Sequence, residues 1–279
     1  MIHYLTITDT WMNRKKHLRD FRGVIIAMSA FKMNFSILSM MKSYANAALM
    51  NNSGRMLRIM PIKMVILKDR EEWLEHRKKY IGASDAACVI GCNSWKSNVD
   101  LWEEKTGRVQ PDDISDKPYV HFGIAAEPVI RELFKLTYPK YKVDYVENNS
   151  WTNNKYPFAA VSHDGWLTEI ETGRKGIWEC KTTEIVSSMS KEKWAGRIPD
   201  SYFAQIVHSL MVREDCEFAH LTALLTFKFS EKEVYQQIKN YHIERSEVEE
   251  DIQYLAESEA VFWENVRNDE RPDLILPEL

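Results

Sequence analysis

Two runs of strand-forming residues face each other across a short turn in the middle of this chain, and both end in charge. Gly165-Trp166-Leu167-Thr168-Glu169-Ile170 and Gly176-Ile177-Trp178 flank the turn-prone Glu171-Thr172-Gly173-Arg174, which predicts a β-hairpin. Ser162-His163-Asp164 precedes the first run and Glu179-Cys180-Lys181 follows the second, so the hairpin returns Asp164 to the side of Glu179. Strand side chains alternate, which puts Glu179 and Lys181 on one face and Cys180 on the other.

Carboxylates beside an ammonium suit phosphodiester hydrolysis. That reaction needs an activated water, neutralisation of charge on the scissile phosphate and help for the leaving oxygen, and a divalent ion held by carboxylates supplies all of them. Mg²⁺ takes hard oxygen ligands and keeps several waters, so Asp164, Glu179 and the backbone carbonyl of Cys180 suffice to hold it, with Mn²⁺ as a substitute. Lys181 is placed to polarise the attacking water, and the neighbouring acids hold its amine protonated. The pattern reads as a nuclease centre. The plainer reading is a turn at Asp164-Gly165 with a solvated Glu179–Lys181 pair. It sits poorly with the apolar flanks Ala159-Ala160-Val161 and Ile177-Trp178.

Composition limits the setting. The chain has 279 residues, enough for one core and an appendage, and no apolar run approaches the roughly 20 residues of a membrane-spanning helix. Cys88, Cys92, Cys180 and Cys216 form no CxxC pair and no disulfide framework, and read as reduced thiols of a cytoplasmic protein. The net charge of −4 hides a division: residues 1–64 hold ten Lys/Arg against Asp9 and Asp20, leaving a net of −12 for the rest. A polyanion site in that acidic body must be a local cluster, helped by a divalent cation.

Residues 1–64 also hold ten of the twelve methionines and show no apolar period. They are set apart as a basic N-terminal extension, disordered or read from a start placed too early, in preference to an organellar transit peptide. The folded domain is assigned to 65–279, entering near Met60 or Met64. Its pattern predicts helices over 69–79, 84–91, 98–106 and within 119–137, then strands near 143–147, 158–163, 166–170 and 176–182. A helix over 200–213, strands over 219–227 and 239–244 and a helix over 246–268 complete a mixed α/β order, with Pro272 and Pro277 in a loose tail.

Further candidates have plainer readings beside them. Glu127 is a third carboxylate or a first-turn acid, and Pro128 leaves open whether the helix starts there or is kinked there. Ser84 reads as a helix cap, while Arg77 near its free amides would make an anion pocket. Gln205 shares a helical face with Tyr202 and Ser209, opposite Ala204, Val207, His208 and Met211; such glutamines are mostly solvated. His208 reads as a satisfied core or boundary histidine, and alternation turns His163 away from the face of Asp164. Trp95, Trp102 and Trp263 read as packing anchors.

In order and spacing, several motifs match a known family. They are Trp73-x3-Arg77, Ile81-Gly82-Ala83-Ser84-Asp85, Trp95-Lys96-Ser97, Leu101-Trp102-x2-Lys105-Thr106-Gly107 and Gly123-x3-Glu127-Pro128. Ser162-His163-Asp164-Gly165, Glu179-Cys180-Lys181-Thr182, Tyr202-x2-Gln205-x2-His208 and Phe262-Trp263 follow. Together they resemble the phage recombination exonucleases of the YqaJ type, relatives of bacteriophage lambda exonuclease within the PD-(D/E)xK nuclease superfamily. The resemblance implies an α/β fold of α+β type, with a restriction-endonuclease-like core whose central mixed β-sheet is flanked by helices. It implies metal ligands at Asp164 and Glu179, a further acid at Glu127, a catalytic lysine at Lys181 and assistance from Gln205. Arg77, Ser84 and Ser162 match positions that hold a 5′-phosphate, so the expected activity is 5′-to-3′ digestion of one strand of linear duplex DNA. Expected partners are double-stranded DNA ends, a single-strand annealing protein and two further copies in a ring trimer. A structure-specific or restriction-type endonuclease and a non-cutting DNA-end-binding protein are the alternatives. The family usually has Pro where this chain has His163, and a branched aliphatic where it has Cys180.

Overall fold

A computed structural model of the chain describes residues 62–229 and 233–276. The extension assigned to 1–64 therefore lies, up to residue 61, outside the described residues. Strand β1 (Ile62–Ile66) spans the assigned domain start and pairs antiparallel with β4 (Asn149–Asn153). Helix α1 (Arg70–Arg77) begins where the Asp69 side chain accepts the Glu72 amide at 2.9 Å. The two-residue β2 (Ile81–Gly82) and a 3₁₀ turn, Ala83–Asp85, lead into the short α2 (Ala86–Val89).

Helix α3 (Asn98–Lys105) opens on a reciprocal cap between Ser97 and Asp100. Helix α4 (Pro118–Thr137) starts with proline at its first turn, where the missing N–H costs nothing, and runs unbroken through Pro128. Glu127 thus lies inside the helix, because buried Ile130 and Phe134 pack the following turn against the sheet.

The described strands form two mixed sheets, in keeping with the expected α/β core. The first has the order β1-β4-β5-β2, with β5 covering Tyr156–Val161. The second has the order β3-β6-β7-β8-β9, built from Tyr141–Asp144, Gly165–Glu169, Lys175–Glu184, Phe218–Lys228 and Val234–Glu244. Only β7 and β8 run parallel in it, and the crossover between them carries α5 (Ser188–Glu192) and α6 (Asp200–Val212). The closing helix α7 is Glu249–Arg267.

Alternation along β7 sorts the core. Ile177 faces Val207, Leu210 and Met211 of α6, while Trp178 and Cys180 face Ile130 and Phe134 of α4. Residue 176 must be glycine, since a Cβ there would lie 2.2 Å from the Phe218 ring. The predicted hairpin is present: Gly165 pairs with Trp178, and Gly173, at φ +73°, turns the chain. Strand β4 escaped hydropathy because its buried positions include Asn149, Ser150 and Asn153. No helix among the described residues is long and apolar enough to cross a membrane.

Candidate active site

The two sheets meet at Ser162-His163-Asp164, which pairs with no strand and carries the chain from β5 into β6. The buried Asn149 side chain stands in for a ladder partner. It accepts the His163 amide at 3.0 Å and donates to the His163 carbonyl at 2.9 Å. Asp164 is fixed next to it: its Oδ2 accepts the Cys180 amide at 2.8 Å, and its carbonyl accepts Arg131 Nε at 2.9 Å.

Glu179 is 3% exposed, and its Oε1 accepts both Lys181 Nζ at 2.7 Å and Gln205 Nε2 at 2.6 Å. The Lys181 ammonium also lies 5.3 Å from the centre of the Tyr202 ring. Glu127, one α4 turn from Arg131, bonds that guanidinium, which is itself stacked on Tyr145. The hairpin therefore brings Asp164, Glu179 and Lys181 together as the sequence predicts, and α6 adds Gln205, which is not a solvated glutamine.

Burial sets the protonation of these acids. Burial, and then the Asp164 charge, pushes Glu179 up to about 7; the same two causes bring Glu127 to about 7. Burial likewise raises Asp164, against the pull of Lys181. For Lys181 burial acts downward, but Glu179 and Asp164 outweigh it and hold the amine charged.

On the other side of the same cleft stand Trp73, Arg77, Ser84 and Ser162. Arg77 Nη2 donates to Ser84 Oγ at 2.7 Å, and its guanidinium lies 4.7 Å from the Trp73 ring centre. The Trp73 indole donates to Ser162 Oγ at 2.9 Å. Ser84 is not the predicted helix cap. It lies within the 3₁₀ turn, where Asp85 instead accepts the Gly82 amide at 3.0 Å.

Three other expectations are settled by burial. His208 is fully enclosed, between Glu259 at 2.7 Å and the Ala160 carbonyl at 3.1 Å, as a core histidine. His163 is buried away from the cleft with neither ring nitrogen bonded, as the alternation of the strand predicts. Trp102 is buried and Trp263 packs on the same cluster, but Trp95 is 95% exposed and anchors nothing.

A hard divalent cation suits the donor set: oxygen ligands from two carboxylates, Asp164 raised by burial and Glu179 by burial and then by the Asp164 charge. Among the described residues, no three His, Cys, Asp or Glu side chains are grouped closely enough to hold an ion by themselves.

A profile of the YqaJ-like viral recombinase domain matches residues 72–217, more than half of the chain. The chain belongs to the YqaJ-like viral recombinase family. The YqaJ-like segment contains every candidate site residue, from Arg77 to Gln205. The uncharacterized protein YqaJ of Bacillus subtilis (strain 168) is 35% identical over 144 residues, covering 51% of this chain and 42% of that one. This chain thus spans less than half the length of its curated relative. An alkaline exonuclease from Laribacter hongkongensis, LHK-Exo, has the same fold, with a TM-score of 0.50 at 14% identity over 71% of this chain and 93% of that chain. The YqaJ-like site also contains side chains to which the sequence assigned no role. Trp73 ties Arg77 to Ser162, Arg131 ties Glu127 to Asp164, and Asn149 clamps His163. Trp73 and Arg131 sit one helical turn from a predicted site residue, which was the available signal; nothing in the sequence marked Asn149.

Proposed function

We propose that this chain is a divalent-metal-dependent DNA exonuclease that digests one strand of a linear duplex from its 5′ end. The observation that carries the reading is one cleft lined both by Asp164, Glu179, Lys181 and Gln205 and by Arg77, Ser84 and Ser162. Membership in a viral recombinase family and a fold shared with an alkaline exonuclease agree with the reaction class.

The carboxylates of Asp164 and Glu179 and the Cys180 carbonyl would hold Mg²⁺, or Mn²⁺ in its place, with Glu127 as an acid further out. The ion would supply water activation and charge neutralisation at the phosphate. Lys181, kept charged by Glu179 and Asp164, stabilises negative charge on the phosphate and orients the water. Gln205 fixes Glu179 for that task.

The other half of the cleft is a donor array. A hydroxyl has one proton and two lone pairs. Ser84 and Ser162 each accept a bond from Arg77 or Trp73, so their own protons remain to be donated. With the Arg77 guanidinium, these groups favour a phosphate over a neutral hydroxyl end. By resemblance the active form is a ring of three copies, which retains DNA despite the acidic body, and the released strand passes to an annealing protein.

The test is an end-labelled duplex with 5′-phosphate or 5′-hydroxyl ends, digested with and without chelator beside an intact closed circle. The reading expects metal-dependent loss of the phosphorylated strand and an untouched circle. A nicked circle identifies an endonuclease, and binding without cleavage identifies an end-binding protein.

A further inference from the structure

Asp85 and Lys105 belong to motifs for which the cleft gives no direct use, yet both are nearly buried, with side chains 11% and 9% exposed. The Lys105 ammonium, at the end of α3, meets three acceptors on one short stretch of chain. They are Asp85 Oδ2 at 2.8 Å, the Tyr80 carbonyl at 2.7 Å and the Arg77 carbonyl at 3.3 Å. An ammonium has three protons, so all of its donors are used here. The same Asp85 oxygen accepts the Gly82 amide at 3.0 Å. Residues 77–85 are thereby closed around one cation.

That stretch carries Arg77 at one end and Ser84 at the other, and these two side chains are bonded across it at 2.7 Å. The Arg77 carbonyl is also the last of α1, where the helix dipole favours a cation. A buried ion pair can often be replaced by apolar side chains without loss of stability, so stability alone does not account for this one. Its geometry does: it fixes the distance between a guanidinium and a hydroxyl that must converge on the same anion.

We propose that Lys105 and Asp85 are positioning residues for the phosphate half of the cleft, setting Arg77 and Ser84 at the spacing that discriminates a 5′-phosphate from a 5′-hydroxyl. This rests on the exonuclease reading above. Neither residue touches the DNA; both act through the 77–85 turn.

The experiment measures initial digestion rates of 5′-phosphorylated and 5′-hydroxyl duplexes by the full chain and by Lys105→Met, with thermal midpoints recorded alongside. The expected result is a fall of about tenfold in the phosphate-to-hydroxyl rate ratio, the effect of one misaligned charge-assisted hydrogen bond. A purely structural role would slow both substrates by the same factor, and an unchanged ratio overturns the proposal. Should Lys105→Met fail to fold, Asp85→Asn keeps an oxygen for the Gly82 amide while removing the ion pair, and is read by the same ratio. If the parent cuts both ends equally, the phosphate reading itself falls and takes this one with it. A parent that prefers the phosphate while both variants keep that preference refutes the positioning role alone.

Discussion

Gln205 donates to Glu179 Oε1 at 2.6 Å, joining α6 of the crossover to the acid in the middle of β7. Gln205→Ala removes that tether but leaves the carboxylate and Lys181. Turnover should fall by about tenfold, roughly the value of one hydrogen bond to a charged group, with KM for duplex DNA little changed. A variant with parental kcat would show the contact to be incidental.

Asp164→Asn and Glu179→Gln each delete a formal charge from the acid cluster. We expect turnover to drop by about 10²–10⁴-fold in either, with near-parental circular dichroism. Binding gives an independent reading, because Mg²⁺ at about 100 times its Kd should stabilise the parent by about 2.7 kcal/mol, and chelator should remove that gain. The same addition should do little for Asp164→Asn. A parent whose thermal midpoint ignores Mg²⁺, Mn²⁺ and chelator alike would contradict the metal assignment.

Acid should act on the fold through His220, which lies among Phe134, Tyr138, Tyr141 and Phe218. Burial, then the charge of His242, brings it down to about 3 in the folded chain, whereas an unfolded histidine titrates near ~6.5. Below that pH the unfolded state binds a proton that the folded state refuses, so this group's support for folding is present at neutral pH. It is lost as pH falls from about 6.5 toward 3. His220→Phe keeps a ring in place and removes the titration. The stability difference between parent and variant should then change by about 1.4 kcal/mol per pH unit between about pH 6 and 4. A flat difference over that interval would disprove the linkage.

How far the sequence carried these expectations depends on what signal each residue leaves. The hairpin was legible because alternation and a Gly-containing turn are local, and it placed Asp164, Glu179 and Lys181 correctly. Strand β4 was not, since Asn149 and Asn153 look like loop residues until their amides are seen bonding the His163 backbone and the Val212 carbonyl. The exposed residues of β9 hid its first half: Gln236 and Gln237 lie on an edge strand where polarity is no cost. Trp95 was misjudged by residue type, which predicts average burial and not a single site.

The start of the domain offers a simple check. A chain beginning at Met60 keeps every β1–β4 pair, from Ile62↔Asn153 to Ile66↔Asn149, and should fold and cut like the full chain. Beginning at Met64 removes Ile62 and Lys63, and should lower stability by about 0.5–2 kcal/mol through two lost cross-strand pairs. Inactivity of the Met60 chain would give residues 1–59 a role in the fold or in DNA contact.

The crossing from β5 to β6 has an evolutionary corollary. Ser162 meets the Trp73 indole, Asp164 meets the Cys180 amide, and the residue between them is clamped by Asn149. One residue gained or lost there would change the phase of the pleat and swing the acid to the wrong side of the sheet, whereas the exposed Gly173 turn can lengthen freely. Among descendants of this sequence, insertions and deletions should accumulate at the hairpin tip and be absent from the crossing.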